Sequence, residues 1–212
     1  MTYQPNSYSQ TVNGILNKVK MIKAVANNIA NIGTSGYKRE IPESTNFKSV
    51  LDEVTLRDQS QGPLKRTGSQ LDIAIEGNAY ILVESGNGPV PTRDGRLTFN
   101  DKGALVTHDG REIIIVEQTD KPISLSKQYD IRINENGEIF ADGERYGRIA
   151  MKIMDNKPVR IHQGFIEGSN VNITNEMVAL SLTSRSFEAS EKTLGMEASV
   201  DKELIEKYGR NV

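Results

Sequence analysis

The 212-residue chain contains no cysteine. That absence excludes disulfides, thiolate nucleophiles and thiolate metal sites together, and it leaves the chain indifferent to the redox state around it. It suits a protein that crosses compartments. No apolar run approaches the roughly 20 residues of a spanning helix, so the chain is not expected to span a membrane. The first residues, MTYQPNSYSQTVNG, lack the basic and apolar regions of a cleaved signal. Any departure from the cytoplasm is therefore expected to use another route. Formal net charge is only −2, which gives the chain no general attraction for nucleic acid or anionic lipid. There are just two histidines, His108 and His162, far apart and without ligand spacing to other donors. No metal and no cofactor are expected. Hydrophobic residues make up 36%, enough for a thin core.

What the sequence does contain changes period along the chain. Near the start, Val12, Ile15, Val19, Ile22, Ala26 and Ile29 are spaced by alternating threes and fours. That is a narrow seam of the coiled-coil kind, narrower than the apolar face of a helix packed on a globular core. Asparagines and lysines, among them Asn27, Asn28 and Asn31, occupy the other faces. Gly33, Thr34, Ser35 and Gly36 are expected to stop this helix, with glycine supplying a left-handed cap. From about Leu64 the period becomes two: Leu71, Ile73 and Ile75 alternate with Asp72, Ala74 and Glu76, and Tyr80 to Val83 follow a turn. Asp94-Gly95, Lys102-Gly103, Asp109-Gly110, Asn136-Gly137 and Asp142-Gly143 then punctuate short strands as tight hairpin turns.

A second helix is expected from Thr174, read as its N-cap, with Met177, Leu180, Phe187, Leu194, Ala198 and Ile205 near one stripe. The fold class is thus α+β: long N- and C-terminal helices forming a coiled-coil-like stem, plus a central, mostly antiparallel β domain. The expected division is a stem helix over 1–36, a linker over 37–63 with a short helix through Phe47, Val50, Leu51 and Val54, the β domain over 64–160, a polar connecting turn over 161–173, and the second stem helix over 174–212. Through residue 40 the charge is +4, and from Thr174 onward it is −2. Opposite signs favour pairing the first helix with the last.

Candidate chemistry is sparse. Asp94 and Asp109 could be imagined as an acid/base pair acting on cell-wall glycan, but each precedes a glycine where turn capping explains it. Ser85-Gly86-Asn87-Gly88-Pro89 opens no helix and lacks the Lys-Ser/Thr of a phosphate cradle. Lys18, Lys20 and Lys23 have no aromatic or arginine-rich reading surface beside them. The expectation is no enzyme, no small-molecule substrate and no nucleic-acid partner.

Three ordered motifs carry a family resemblance. Ala26-Asn27-Asn28-Ile29-Ala30-Asn31, then Thr34, Gly36, Tyr37 and Lys38, resembles the N-terminal signature of flagellar axial rod and hook proteins. Leu71-Asp72-Ile73-Ala74-Ile75-Glu76-Gly77, then Thr92-Arg93-Asp94-Gly95-Arg96-Leu97, then Gly103 to Thr107 with Asp109-Gly110, follow that family's β-domain pattern. Gln163-Gly164, Glu167, Ser169-Asn170-Val171-Asn172, Glu176-Met177, Arg185 and Phe187-Glu188 resemble its C-terminal pattern. The resemblance covers nearly the whole chain. It implies a structural subunit of the bacterial flagellar basal-body rod in the periplasm, exported by the flagellar type III apparatus without a cleaved signal. The short chain is nearer to the proximal-rod type, with the distal rod as the alternative. A secreted, non-flagellar coiled-coil and β interaction module remains open as a different class.

The expected partners are copies of itself, other rod subunits and the export apparatus. Val12, Ile15, Val19, Ile22 and Ile29 would bury against Met177, Leu180, Phe187, Leu194 and Ile205, within one subunit or between subunits. Asn27, Asn28 and Asn31 would supply polar contacts between helices. Gly33, Gly36, Thr92, Arg93, Gly95, Gly164, Asn170 and Val171 mark the motif turns. Helices with so narrow a seam are marginal alone, so the termini are expected to order on assembly.

Overall fold

The computed structural model describes residues 7–42, 56–117 and 130–208. Among them are two helices and a set of short antiparallel strands, an α+β fold. The chain forms two compact units. One contains the terminal helices with residues 40–58; the other contains residues 31–39 and 59–171. The short helix expected around Phe47 and Leu51 lies outside the described residues. No described helix is long and apolar enough to cross a membrane.

In the helical unit, α1 (Ser7–Ala30) packs against α2 (Ile173–Tyr208). Asn28 lies beside Glu176, and Lys18 beside Ser186, so the two helices run antiparallel. A small ribbon of β1 (Glu40–Ile41) and β2 (Leu56–Arg57) belongs to the same unit. Both helix boundaries differ from the sequence expectation. α1 ends at Ala30, and of the two glycines beyond it only Gly36 takes a left-handed φ, of 68°. The N-cap of α2 is Asn172, whose Oδ1 accepts the Asn175 amide at 3.1 Å. Thr174 lies inside the helix. Asparagine caps more strongly than threonine, which explains the two-residue shift.

The β unit is built from β3 (Leu64–Arg66), β4 (Ile73–Glu76), β5 (Ala79–Val83), β6 (Val90–Thr92), β7 (Leu97–Phe99), β8 (Leu105–Thr107), β9 (Ile115–Val116), β10 (Ile131–Ile133), β11 (Glu138–Ala141), β12 (Glu144–Ile149), β13 (Met151–Ile153), β14 (Arg160–Gln163) and β15 (Phe165–Glu167). A four-stranded sheet runs β10-β11-β12-β9, a three-stranded one β13-β5-β6, and the pairs β14-β4, β15-β3 and β7-β8 complete the described pairing. Every pair is antiparallel.

Strand alternation puts Ala79, Ile81 and Val83 of β5 into the core, with Ile73 and Ile75 of β4. Ile131, Ile139, Ile149 and Ile161 join them from the other strands. Ala74, expected on the polar face, is buried as well, because β4 is covered on both sides.

Two expectations are corrected here. The polar turn expected over 161–173 is strand in its first half, where β14 pairs with β4 and β15 with β3, and only residues 168–172 form the connection to α2. Cross-strand pairing overrides the polar local composition there. The glycine dipeptides also differ among themselves. Only Asp142-Gly143, with φ of 51° and 85°, makes a two-residue turn with both residues left-handed. Gly103, Gly110 and Gly137 instead close loops headed by Asn100, Thr107 and Asn134, whose side chains accept the loop amides. Gly95 has no left-handed φ; its constraint is space, since a Cβ there would lie 1.7 Å from the Ile73 carbonyl oxygen.

Candidate functional site

Two constellations stand out, one in each unit. In the helical unit the helices meet along Val25, Ala24, Asn28 and Lys18 of α1, facing Glu176, Leu180, Thr183, Phe187 and Ser190 of α2. Much of this seam is polar. Lys18 Nζ donates to the Ser186 carbonyl at 3.0 Å and to Ser190 Oγ. Asn28 and Glu176 are both 0% exposed, and Asn28 Nδ2 donates to Glu176 Oε2 at 3.2 Å. Glu176 sits in the first turn of α2, where the helix dipole favours a carboxylate.

The apolar line read from the sequence lies on an adjacent face of α1. Relative to it, the seam within the chain is displaced by one residue, about 100° around the helix. Val12, Ile15, Ile22 and Ile29 are half-buried, Ala26 and Asn27 are exposed, and Val19 is 47% exposed. On α2, Leu180, Phe187 and Leu194 are half-buried along the seam, while Met177 is 58% exposed and Ala198 is exposed. The Ile205 side chain lies outside the described residues. The asparagines divide in role. Asn28 is the buried one, Asn27 reaches the Glu40 carboxylate at 3.3 Å, and Asn31 accepts the Thr34 hydroxyl at 3.1 Å in the turn after the helix.

The outward faces of the pair are unusually apolar. Leu182 and Met196 are each 61% exposed, and Leu16, Val178 and Val200 are exposed beside them. Val178, Leu182, Ala189, Met196 and Val200 recur at spacings of four and seven residues, as Leu16, Val19 and Ala26 do at three and seven, with Lys23 breaking the α1 line. A pair of helices with polar groups inside and an apolar line outside is the reverse of the arrangement expected for a helix whose only partner is the one it already has.

In the β unit, three motif segments that are distant in sequence converge on one carboxylate. Glu167 Oε1 accepts Lys38 Nζ at 2.8 Å and the Gly62 amide at 2.8 Å. Its Oε2 lies 2.8 Å from Arg93 Nε, an ionic contact rather than an aligned hydrogen bond. The Glu167 carbonyl accepts the Gly36 amide at 2.8 Å. Lys38 also donates to the Ser60 carbonyl, and Arg93 donates to the Gly77 and Ala79 carbonyls while stacking over Tyr80. Asn170 accepts the Arg39 amide at 2.7 Å and donates to Ser60. All three charged side chains are buried. Burial of ions is costly unless each is paired and hydrogen-bonded; main-chain groups supply most of the hydrogen bonds here, while Arg93 Nε and Glu167 Oε2 have only their ionic contact with each other.

The motif glycines permit the approach: a Cβ on Gly36 would lie 2.5 Å from the Arg93 carbonyl, and one on Gly62 would lie 2.0 Å from the Gly168 carbonyl oxygen. Gly164 takes φ of 80° between β14 and β15, Val171 is buried, Thr92 Oγ1 accepts the Asp94 amide, and Gly33 is exposed with open space about its Cα. Sequence reasoning singled out Arg93 and the glycines but not Lys38 and Glu167 as site residues. The available signal was one basic, one basic and one acidic residue, each set among the motif glycines.

Asp94 and Asp109 serve as turn residues. Asp94 holds Arg96 at 2.8 Å, raising the pKa of that guanidinium, and Asp109 pairs with Arg111, which holds its carboxyl below the usual range. His162 pairs with Glu76 at 2.7 Å across β14 and β4. Among the described residues no group of three His, Asp or Glu side chains is placed to hold a metal.

Comparison with known proteins agrees with the motif reading. Residues 162–206 match the family described as flagellar basal body rod FlgEFG protein C-terminal, and residues 74–141 match the flagellar hook protein FlgE/F/G D1 domain. The flagellar basal-body rod protein FlgF of Caulobacter vibrioides is 31% identical, over 88% of this chain and 91% of its own length. FlgF of Mesorhizobium japonicum is 30% identical over 90% and 92%. FlgG of Agrobacterium fabrum, another basal-body rod protein, is 26% identical over 82% and 88%. The chain belongs to the flagellar basal-body rod protein family and is a structural subunit of the rod.

Proposed function

We propose that this subunit is a proximal-rod protein that assembles through its terminal helices, which form a coiled-coil-like stem among neighbouring copies and other rod subunits. The observation that carries this reading is the inverted helix pair, with Lys18, Asn28, Glu176 and Ser190 inside and Leu182, Met196 and Val200 outside. Val12, Ile15, Val19, Ile22 and Ile29 of α1 and Met177 of α2 lie near those outward lines and would be covered on assembly, as would Ile205. Burying such side chains contributes roughly 1.5–3 kcal/mol each before ordering costs. The proximal assignment rests on identities of 29–31% to FlgF proteins against 22–27% to FlgG proteins. The place of action is the periplasmic part of the rod. Export runs through the flagellar type III apparatus without a cleaved signal, a route compatible with a cysteine-free chain.

Leu182→Glu and Met196→Glu test the stem. Each should stop rod growth in a complemented deletion strain while the purified chain keeps its β-unit melting transition. Normal motility with both substitutions combined would overturn the helix-mediated assembly.

A further inference from the structure

The apolar residues of the helix pair do not by themselves say how α1 and α2 should align. Leu180, Phe187 and Leu194 repeat every seven residues along the seam of α2. Sliding α1 by one heptad would exchange one of them for the next, with apolar contacts of similar size in both alignments. The polar seam residues of α2, Glu176, Thr183 and Ser190, repeat every seven residues too, but of these three only Glu176 is charged, and seven residues before Asn28 stands the apolar Met21.

Asn28 occupies a seam position of α1, and every polar atom of its side chain is engaged. Oδ1 accepts the Glu40 amide at 2.8 Å, and Nδ2 donates to the Glu40 carbonyl at 2.9 Å and to Glu176 Oε2 at 3.2 Å. The side-chain amide thus pairs with the main chain of Glu40 as a neighbouring strand residue would, and its remaining hydrogen reaches α2. Aspartate has the same shape but no hydrogens to donate. Leucine has neither donor nor acceptor.

We propose that Asn28 is the register-determining residue of the terminal helix pair, fixing α1 against α2 in one antiparallel alignment by reading Glu40 and Glu176 together. A slip of one heptad sets Asn28 opposite the Thr183 hydroxyl and takes its amide donor away from the buried Glu176 carboxylate, and a buried charge that loses a hydrogen-bond donor is strongly disfavoured. Asn28 therefore specifies which stretch of α2 its own α1 meets, while the outward apolar lines stay free of that constraint. The inference depends only on the helical unit and stands or falls independently of rod membership.

The cysteine-free chain allows a direct test in the full-length protein at high dilution. Met21 and Thr183 lie one heptad from Asn28 and Glu176 respectively, so Met21→Cys with Thr183→Cys reports the aligned register. Met21→Cys with Ser190→Cys reports a one-heptad slip. Under mild oxidation the aligned pair should cross-link in preference to the slipped pair, and Asn28→Asp should lower that preference roughly tenfold. Adding Glu176→Gln to Asn28→Asp should recover much of it, because the new amide can donate to the new carboxylate. Asn28→Leu, which adds an apolar contact to the seam and so preserves pairing if the carboxylate variant disrupts it, should leave the two cross-links nearly equal. An unchanged preference in Asn28→Leu, or no recovery on adding Glu176→Gln, would overturn the proposal and leave Asn28 as a space-filling residue.

Discussion

Lys38 and Glu167 are 129 residues apart in the chain, yet Lys38 Nζ rests 2.8 Å from Glu167 Oε1, with the two side chains only 5% and 1% exposed. Around that pair the loop after α1, the segment before β3, the Arg93 turn and the end of β15 are held together. In a domain of short strands, this ionic cluster does work that longer strands would otherwise do by hydrogen bonding.

Removing the shared carboxylate should therefore be costly. Glu167→Ala leaves Lys38 and Arg93 buried without their anion and should destabilise the β unit by about 3–5 kcal/mol, read by urea unfolding. Replacing Lys38, Arg93 and Glu167 together by apolar residues is neutral or stabilising in some buried ion clusters. Here it should remain destabilising, because the Gly62 amide and the Ser60, Gly77 and Ala79 carbonyls would each lose a partner.

Glycines should separate into two classes on substitution. Gly95→Ala places a methyl 1.7 Å from the Ile73 carbonyl oxygen and must shift backbone, so its thermal transition should fall sharply or disappear. Gly195→Ala lies on α2 with nothing within 4 Å of the added carbon. It should raise helix stability by about 0.5–1 kcal/mol, visible as increased helicity in circular dichroism. Equal responses at the two positions would contradict the close approach of Gly95 to Ile73.

Much of this architecture was legible in the sequence because two periods, near 3.5 and 2, mark the helices and the β unit. Legibility failed where a residue's role is set by a distant partner. The apolar line through Val19 and Ala26 is the stronger local pattern, yet the seam in the chain runs through Val25 and Asn28, the face on which Asn28 reaches both the Glu40 main chain and Glu176. Glu167 is one acidic residue among many in sequence; its importance comes from Lys38, Gly62 and Arg93. Strand β14 was hidden because His162 and Gln163 are polar, although Gln163 stitches the main chain at Gln70, Ile131 and Ile133.

Acid sensitivity should be modest at the turn carboxylates. Arg111 lowers the pKa of Asp109 in the folded state, so the stabilising contribution is present above the unfolded value near 3.9 and disappears as pH falls through the lower folded value. The side chain is 53% exposed, and solvent screening limits the effect to a few tenths of a kcal/mol. Asp109→Asn should thus be slightly less stable than the parent at neutral pH and indistinguishable from it once the parent's carboxyl is protonated. A loss above ~1 kcal/mol at neutral pH would mean that Asp109 does more than hold its turn.

Amide exchange should distinguish the two units in the same sample. The β unit buries Ile73, Ile81, Ile139, Ile149 and Ile161 nearly completely, and their amides exchange only through large openings. The helix pair has few fully buried apolar side chains, Val25 and Ala24 among them, and its most apolar lines face outward. Isolated helices of this kind are marginal, so amides of α1 and α2 in a dilute chain should exchange much faster than those of β5 and β12. Protection on α1 should be greatest near Asn28, where three hydrogen bonds tie it to Glu40 and Glu176, and least toward Ser7. Assembly should slow exchange along both helices at once, since covering Leu182 and Met196 is what raises the cost of opening. Strong protection along the whole of both helices in the monomer would show that the pair is self-sufficient and would remove the coupling between their folding and assembly.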